Sequence, residues 1–218
     1  YIYAAFADTR EAAFWLDQSG NDNDWQPVNL DHNDTVADSP TNNFCTLNPV
    51  IRFYSSSSTL SDGNLKFNAN ATGVTESAFA TFPMTSGQWY AECTINSTAT
   101  GQWIGVSSNL DAAGRGTYAG GVRNPGYAYK VSDGNKCNNS NTGVSYGPSS
   151  TVGDVIGIAM DADNGSIEFF KNGSSMGVAF TGMTSTGDNG WVFGADSDSG
   201  GSFTWNFGQQ PFKYDPPA

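Results

Sequence analysis

The segment GDVIGIAMDADNGSIEFFKNG, residues 153–173, constrains this 218-residue chain more than any other stretch. Two runs rich in branched and aromatic residues, DVIGIAMD and SIEFFKN, flank DADNG, and KNG closes the second run. Each run is too short for a stable helix but long enough for a strand. Asn and Gly accept the positive φ that tight hairpin turns require, so Asn164 and Gly165 are expected to supply it in the first turn. Gly157 interrupts the first apolar run, which predicts a close approach by a neighbouring backbone there. The segment therefore reads as an antiparallel hairpin closed by a further turn at KNG.

Similar runs recur along the chain. QWYAECTI (88–95) alternates, placing Trp89, Ala91, Cys93 and Ile95 on one face and Tyr90, Glu92 and Thr94 on the other. NLKFNA, AFATF (78–82), QWIGVSS (102–108), GYAYKV (126–131), GWVFGA (190–195) and SFTWNFG (202–208) read as further strands. Aromatic residues reach 13% and charged residues only 14%, so the core is expected to be built from rings, which bury much area each. No long amphipathic helix is present. The fold class expected is all-β: a two-sheet antiparallel sandwich of jelly-roll type.

Residues 1–59 differ from the rest. YIYAAFA reads as a strand, DTREAAFWL as one or two helical turns, and 17–49 as a polar arm with Pro27, Pro40 and Pro49. SSSSTLSDG (55–63) reads as a loop. The organisation expected is an extended arm, 1–59, packed on a sandwich domain, 60–218. Because the chain opens on Tyr1 without Met, it is expected to be a piece of a longer protein.

The net charge of −12 bounds the partners. Nine Lys and Arg are scattered from Arg10 to Lys213, with no basic stripe to neutralise phosphates, so nucleic acid is not an expected partner. No apolar run approaches the ~18 residues that suggest a membrane-spanning helix. Cys45, Cys93 and Cys137 form no CxxC and pair with no His, so no zinc site is expected. All three are expected to be reduced thiols, with Cys93 buried and Cys137, in the polar run GNKCNNSN, exposed.

Catalysis is not expected. Glycoside hydrolysis needs two carboxyls about 5–9 Å apart across a cleft. The four Glu, at 11, 76, 92 and 168, stand singly, and Asp161 and Asp163 belong to a turn. His32 has no Ser or Cys partner in a recognisable context, and no GxSxG occurs. No cofactor is implied. In DQSGNDNDWQPVNL (17–30), alternating oxygens at Asp17, Ser19, Asn21 and Asn23 suggest a calcium loop. Gly20 is misplaced for that, and no bidentate Glu follows, so no metal is expected. Trp25 in this stretch is read first as an anchor of the arm and second as a ligand platform.

GQWYAECTI, WIGV (103–106), GYAY (126–129), GDVIGIAMDADNGSIEFFKNG and FTWNFGQQPFKY (203–214) together resemble the SPRY (B30.2-like) domain. WLDQSGNDNDWQPVNL and DSPTNNFCTLNP (38–49) resemble a segment that precedes SPRY domains in virion proteins of marine tailed bacteriophages. That resemblance implies a virion location and a non-catalytic recognition module of tail-fibre type. Its partners would be a host-surface glycan or outer-membrane protein and other virion subunits, and the parent fibre could be a homotrimer. A structural domain cementing virion contacts is the alternative, and a polysaccharide depolymerase a weaker one. SPRY domains recognise partners through loops at one end of the sandwich. The corresponding loops here, 109–126, 132–150 and 184–190, together with the adjoining Tyr127, offer Arg115, Tyr118, Arg123, Asn124, Tyr127, Asn138, Asn141 and Tyr146 as candidate binding residues. Tyr and Arg combine area with directed hydrogen bonds, which suits recognition.

Overall fold

Fourteen strands follow one another without a helix among the described residues: β1 Leu47–Phe53, β2 Thr59–Ser61, β3 Lys66–Asn68, β4 Thr75–Ala80, β5 Gln88–Ser97, β6 Gly101–Ser107, β7 Gly126–Lys130, β8 Asn135–Asn138, β9 Val144–Ser145, β10 Val155–Asp161, β11 Ser166–Lys171, β12 Ser174–Phe180, β13 Val192–Asp198 and β14 Ser202–Asn206. The structure, a computed structural model, describes residues 43–53, 57–71, 75–108, 126–140, 142–185, 190–198 and 200–217, together with Asn21, Asn23 and Val28; for 51–53 it describes the backbone alone. The strand and helical turns expected within 1–16 lie outside these residues.

The strands form two seven-stranded antiparallel sheets. One has the order β1-β4-β13-β6-β7-β8-β9, the other β12-β11-β10-β5-β14-β3-β2. Alternation builds the space between them. Ala91, Cys93 and Ile95 of β5, Ile156 and Ile158 of β10, Phe169 of β11 and Phe203 and Trp205 of β14 face Ala78, Ile104, Val106, Tyr129 and Phe193 of the first sheet. Trp205 stacks on Phe207 with centroids 5.1 Å apart and planes 8° apart. Each fully buried Phe of this layer contributes about 2–3 kcal/mol relative to exposure, so the ring-rich core dominates the stability.

The hairpin read from 153–173 is present, with two differences. Asn172 and Gly173 both have positive φ, 50° and 79°, in the two-residue connection from Lys171 to Ser174. In DADNG, however, Gly165 is left-handed at φ 60° and Asn164 is not. The connection runs over four residues, and Asn164 instead donates its backbone N–H and its amide to the Asp161 carboxylate at 2.9 and 2.8 Å. Gly157 does not admit a neighbouring backbone either. A Cβ there would collide with the Tyr90 hydroxyl. The close backbone approach occurs at Gly105, where a Cβ would strike the Tyr127 carbonyl.

Both faces of β5 are covered. Trp89 leaves the expected buried row at the strand's start, is 37% exposed, and donates its indole N–H to the Ser86 carbonyl at 2.7 Å. On the other face Glu92 is buried, because the C-terminal segment crosses that side of the sheet. Phe212 meets Tyr90 edge-on at 4.9 Å, and the Tyr90 hydroxyl is pushed up to about 12 by burial and by the neighbouring Glu92 carboxylate. Cys137 corrects the expectation of an exposed thiol: it lies on β8 opposite Ala128 and is wholly buried. All three cysteines are free and buried.

Candidate recognition end of the sandwich

The ends of β6 and β7 that bracket residues 109–125, the Met84–Trp191 bridge and the β10–β11 turn gather at one end of the sandwich. The stem of the 109–125 loop is locked. Asn139, with φ 49°, donates its N–H to the Gly126 carbonyl at 3.3 Å and accepts the Gly126 N–H on its side-chain oxygen at 3.0 Å. Met84 and Trp191 exchange backbone hydrogen bonds of 2.6 and 2.9 Å at the root of the 184–190 loop. Asn tolerates the left-handed region where most residues do not, which suits it to this joint.

Tyr127 and Asn138 stand directly opposite each other on β7 and β8 at this end. Asn138 is exposed. Tyr127 is half-buried and packs edge-on against Phe180 at 4.9 Å and Trp191 at 5.5 Å. Arg115, Tyr118, Arg123, Asn124, Asn141 and Trp25 lie outside the described residues. Phe82, at 37% exposure, adds an open ring close to this end that alternation had assigned to a strand interior. The alternating oxygens of the 17–23 stretch are described only at Asn21 and Asn23, both exposed.

Tyr146 does not join the group. Its hydroxyl donates to the Gly177 carbonyl and accepts the Phe169 N–H at 3.3 Å, and its ring meets Phe169 edge-on. Burial pushes this hydroxyl up to about 12. Beside it, Lys136 donates to the Ala179 carbonyl at 2.6 Å with its ammonium 5.2 Å from the Phe180 ring. Tyr146 and Lys136 thus come from the edge of one sheet and cap carbonyls on the edge strand of the other. That closes the flank of the sandwich and blunts β12 as a template for strand addition. Sequence alone offered no sign of it, since the two segments lie more than 30 residues apart.

A recess of about 420 Å³ lies at the opposite end, between Tyr146–Pro148 and the β11–β12 turn. Its ammonium is already committed. Lys171 lies 3.0 Å from Asp154 and donates to the Ser149 carbonyl at 2.7 Å. Desolvation opposes the Asp154 charge, but hydrogen bonds from the Thr151 N–H, the Asn172 amide and Lys171 prevail and hold the carboxyl down at about 2. Glu92 and Glu168 are likewise engaged, Glu92 by two backbone N–H groups and Glu168 by the Ser175 hydroxyl. Among the described residues no cluster of three or more His, Cys, Asp or Glu is placed to hold a metal ion.

Comparison with known proteins decides the family. The family model described as the SPRY domain matches residues 88–210. The chain belongs to the SPRY family. Ran-binding protein 10 of Danio rerio is 32% identical over 162 residues, covering 72% of this chain and 26% of that protein. Ran-binding protein 9 of Homo sapiens is also 32% identical over 162 residues, covering 72% of this chain and 22% of its own length. The chain thus spans about a quarter of these relatives. The SPRY domain of human HERC1 superposes with a TM-score of 0.60 at 19% identity, over 76% of this chain and 99% of that one. SPRY domains are typically protein–protein interaction modules, and the strand pattern read from QWYAECTI to SFTWNFG is the SPRY sandwich itself.

Proposed function

We propose that this SPRY domain is a non-catalytic recognition module that engages its partner through the loop end of the sandwich. One observation carries the reading. The stems of the 109–125 and 184–190 loops are pinned by backbone pairs at Gly126–Asn139 and Met84–Trp191, so the loops rise from a rigid base. A partner bound there meets preorganised roots, which limits the ordering cost of binding. Among the described residues, Lys171 of the far recess is neutralised by Asp154, and Glu92 and Glu168 are each already held by hydrogen bonds. That supports recognition over depolymerisation.

The setting proposed is a bacteriophage virion protein of tail-fibre type, with a host outer-membrane protein or surface glycan as the partner. Its support is the resemblance of residues 15–30 and 38–49 to the segment preceding phage SPRY domains. A protein partner is the first choice, because SPRY domains are typically protein–protein interaction modules and the relatives are named Ran-binding proteins. The test is direct binding of the purified chain to host cells, outer-membrane extracts and host polysaccharide, alongside purified virion subunits. Binding to the host surface is the expected result. Tight binding to virion subunits with no host binding would instead make the domain a structural cement.

A further inference from the structure

The recess of about 420 Å³ has two walls, residues 146–148 on one side and the β11–β12 turn with the start of β12 on the other. Its volume falls within the range of small-ligand sites. Both walls are fixed. Gly147 donates its N–H to the Gly134 carbonyl at 2.9 Å, and the Pro148 carbonyl accepts the Tyr129 hydroxyl at 2.5 Å. Opposite, Asn172 accepts the Val155 N–H on its side-chain oxygen at 2.9 Å. The Ser175 hydroxyl accepts the Gly177 N–H at 2.9 Å and donates to Glu168. The missing side chain of Gly147 makes room for Met176, since a Cβ there would come within 2.5 Å of the sulfur. A ligand therefore meets preformed walls, which limits the ordering cost of binding.

The charges at the recess cancel, because Lys171 and Asp154 lie 3.0 Å apart. Drawing Lys171 onto an anion would leave Asp154 uncompensated, and an incoming cation would meet the Lys171 ammonium. The groups left for a ligand suit a neutral one. The Ser174 side chain is exposed. The Asn172 amide gives one N–H to Asp154 at 2.7 Å and keeps its second. Lys171 bonds Ser149 and Asp154 and keeps its third N–H. Around these polar groups lie the Tyr146 ring, Pro148 and the Met176 thioether. The Tyr146 hydroxyl is spent on Gly177 and Phe169, so Tyr146 offers a ligand its ring.

We infer that this recess binds a neutral, hydroxyl-rich ligand of the size of one sugar residue. A pyranose ring carries hydroxyls around its rim and apolar C–H groups on its faces. The Ser174 hydroxyl and the spare N–H groups of Asn172 and Lys171 match the rim, and the walls of Tyr146, Pro148 and Met176 match the faces. An apolar side chain seated here would strip water from the same polar groups without replacing its hydrogen bonds. A phosphate or carboxylate would have to break the Lys171–Asp154 pair. The site lies at the opposite end of the sandwich from the 109–125 and 184–190 loops, so it does not depend on the recognition reading above.

The test records backbone amide NMR spectra of the isotope-labelled full chain while methyl glycosides of glucose, galactose, mannose, rhamnose and N-acetylglucosamine are added in turn. At least one is expected to shift the Gly147, Asn172, Ser174 and Ser175 amides saturably, with a Kd of about 1–10 mM. Ser174→Trp, which fills the recess, should weaken that binding ~10-fold or more. Ser174→Ala, which keeps the space and removes the hydroxyl, should weaken it ~3-fold or more. The same spectra report whether each variant is folded. No shift at these amides by about 50 mM of any glycoside would overturn the proposal. So would a response of the same amides to inorganic phosphate or cyclohexanol as strong as to any glycoside, or undiminished glycoside binding by both variants. Partner binding at the loop end is measured with other probes, so the failure of either reading leaves the other standing.

Discussion

The carboxylate of Glu92 accepts the backbone N–H of Tyr214, 122 residues further along the chain, at 2.9 Å. Its second oxygen accepts the N–H of Lys213 at 2.8 Å. A 3% exposed carboxylate that looked solitary in its strand is therefore the clasp for the C-terminal segment. Glu92→Ala leaves two N–H groups without this acceptor and is expected to lower unfolding stability by ~2–4 kcal/mol. Glu92→Gln, which keeps one acceptor oxygen, should lose less. Urea denaturation of the two variants measures the difference, and limited proteolysis should cut after residue 206 first in the Ala variant.

Gly173→Ala tests the two-residue turn. The position has φ 79°, and an added Cβ would come within 2.7 Å of the Tyr214 ring. The substitution combines a left-handed backbone with a steric clash and should cost ~1–3 kcal/mol. A melting temperature equal to that of the parent would show that the C-terminal segment yields freely.

Tyr146→Phe should separate stability from recognition. It removes the hydroxyl that bridges the Gly177 carbonyl and the Phe169 N–H. A loss of ~1–2 kcal/mol in stability is expected, with partner affinity unchanged. Loss of binding at intact stability would return Tyr146 to the recognition surface.

At the loop end the opposite pattern is expected. Tyr118→Ala combined with Arg123→Ala should abolish partner binding, because Tyr and Arg anchors typically carry a large share of interface energy. The melting temperature should stay within a degree or two of the parent. An unfolded double variant would make these side chains supports of the fold.

Asp154 sets an acid limit. Its carboxyl is held at about 2 against an ordinary value of 3.8, so the folded state favours the charged form. The stability this provides is fully present above 3.8 and disappears as pH falls through about 2. Urea midpoints measured at successive pH values should fall across that window. Asp154→Asn should remove this part of the acid dependence and lower the plateau at neutral pH.

Much of the sandwich was legible because alternation is a local property. QWYAECTI, DVIGIAMD and SIEFFKN became β5, β10 and β11, with Ala91, Cys93 and Ile95, though not Trp89, in the expected inward row of β5. The strands that went unread are β1, β2, β8, β9 and β12: β1 runs on from the segment read as a polar arm, β2 falls inside the stretch 55–63 read as a loop, and the others are short or polar elements at or next to a sheet edge. In SSMGVAF only Ala179 is fully buried, so no period appears. Their strand character comes from neighbours that supply hydrogen bonds and side-chain caps, as Lys136 and Tyr146 do for β12.

The candidate site divides along the same line. Residue type marked Tyr127 and Tyr146 equally, but packing parts them: Tyr127 lies at the root of the loops, whereas Tyr146 is tied to backbone across the flank. Cys137 misled because its neighbours in sequence are polar, while its neighbours in space are Ala128 and the Trp103 cluster. The order of residues determined the strongly alternating strands, the turns at Gly165 and Asn172–Gly173, and the family, since these are written in residue patterns a few positions long. Only the tertiary structure decided which faces are covered and which carboxylates and hydroxyls are already engaged, because burial and hydrogen bonding there join residues tens to more than a hundred positions apart.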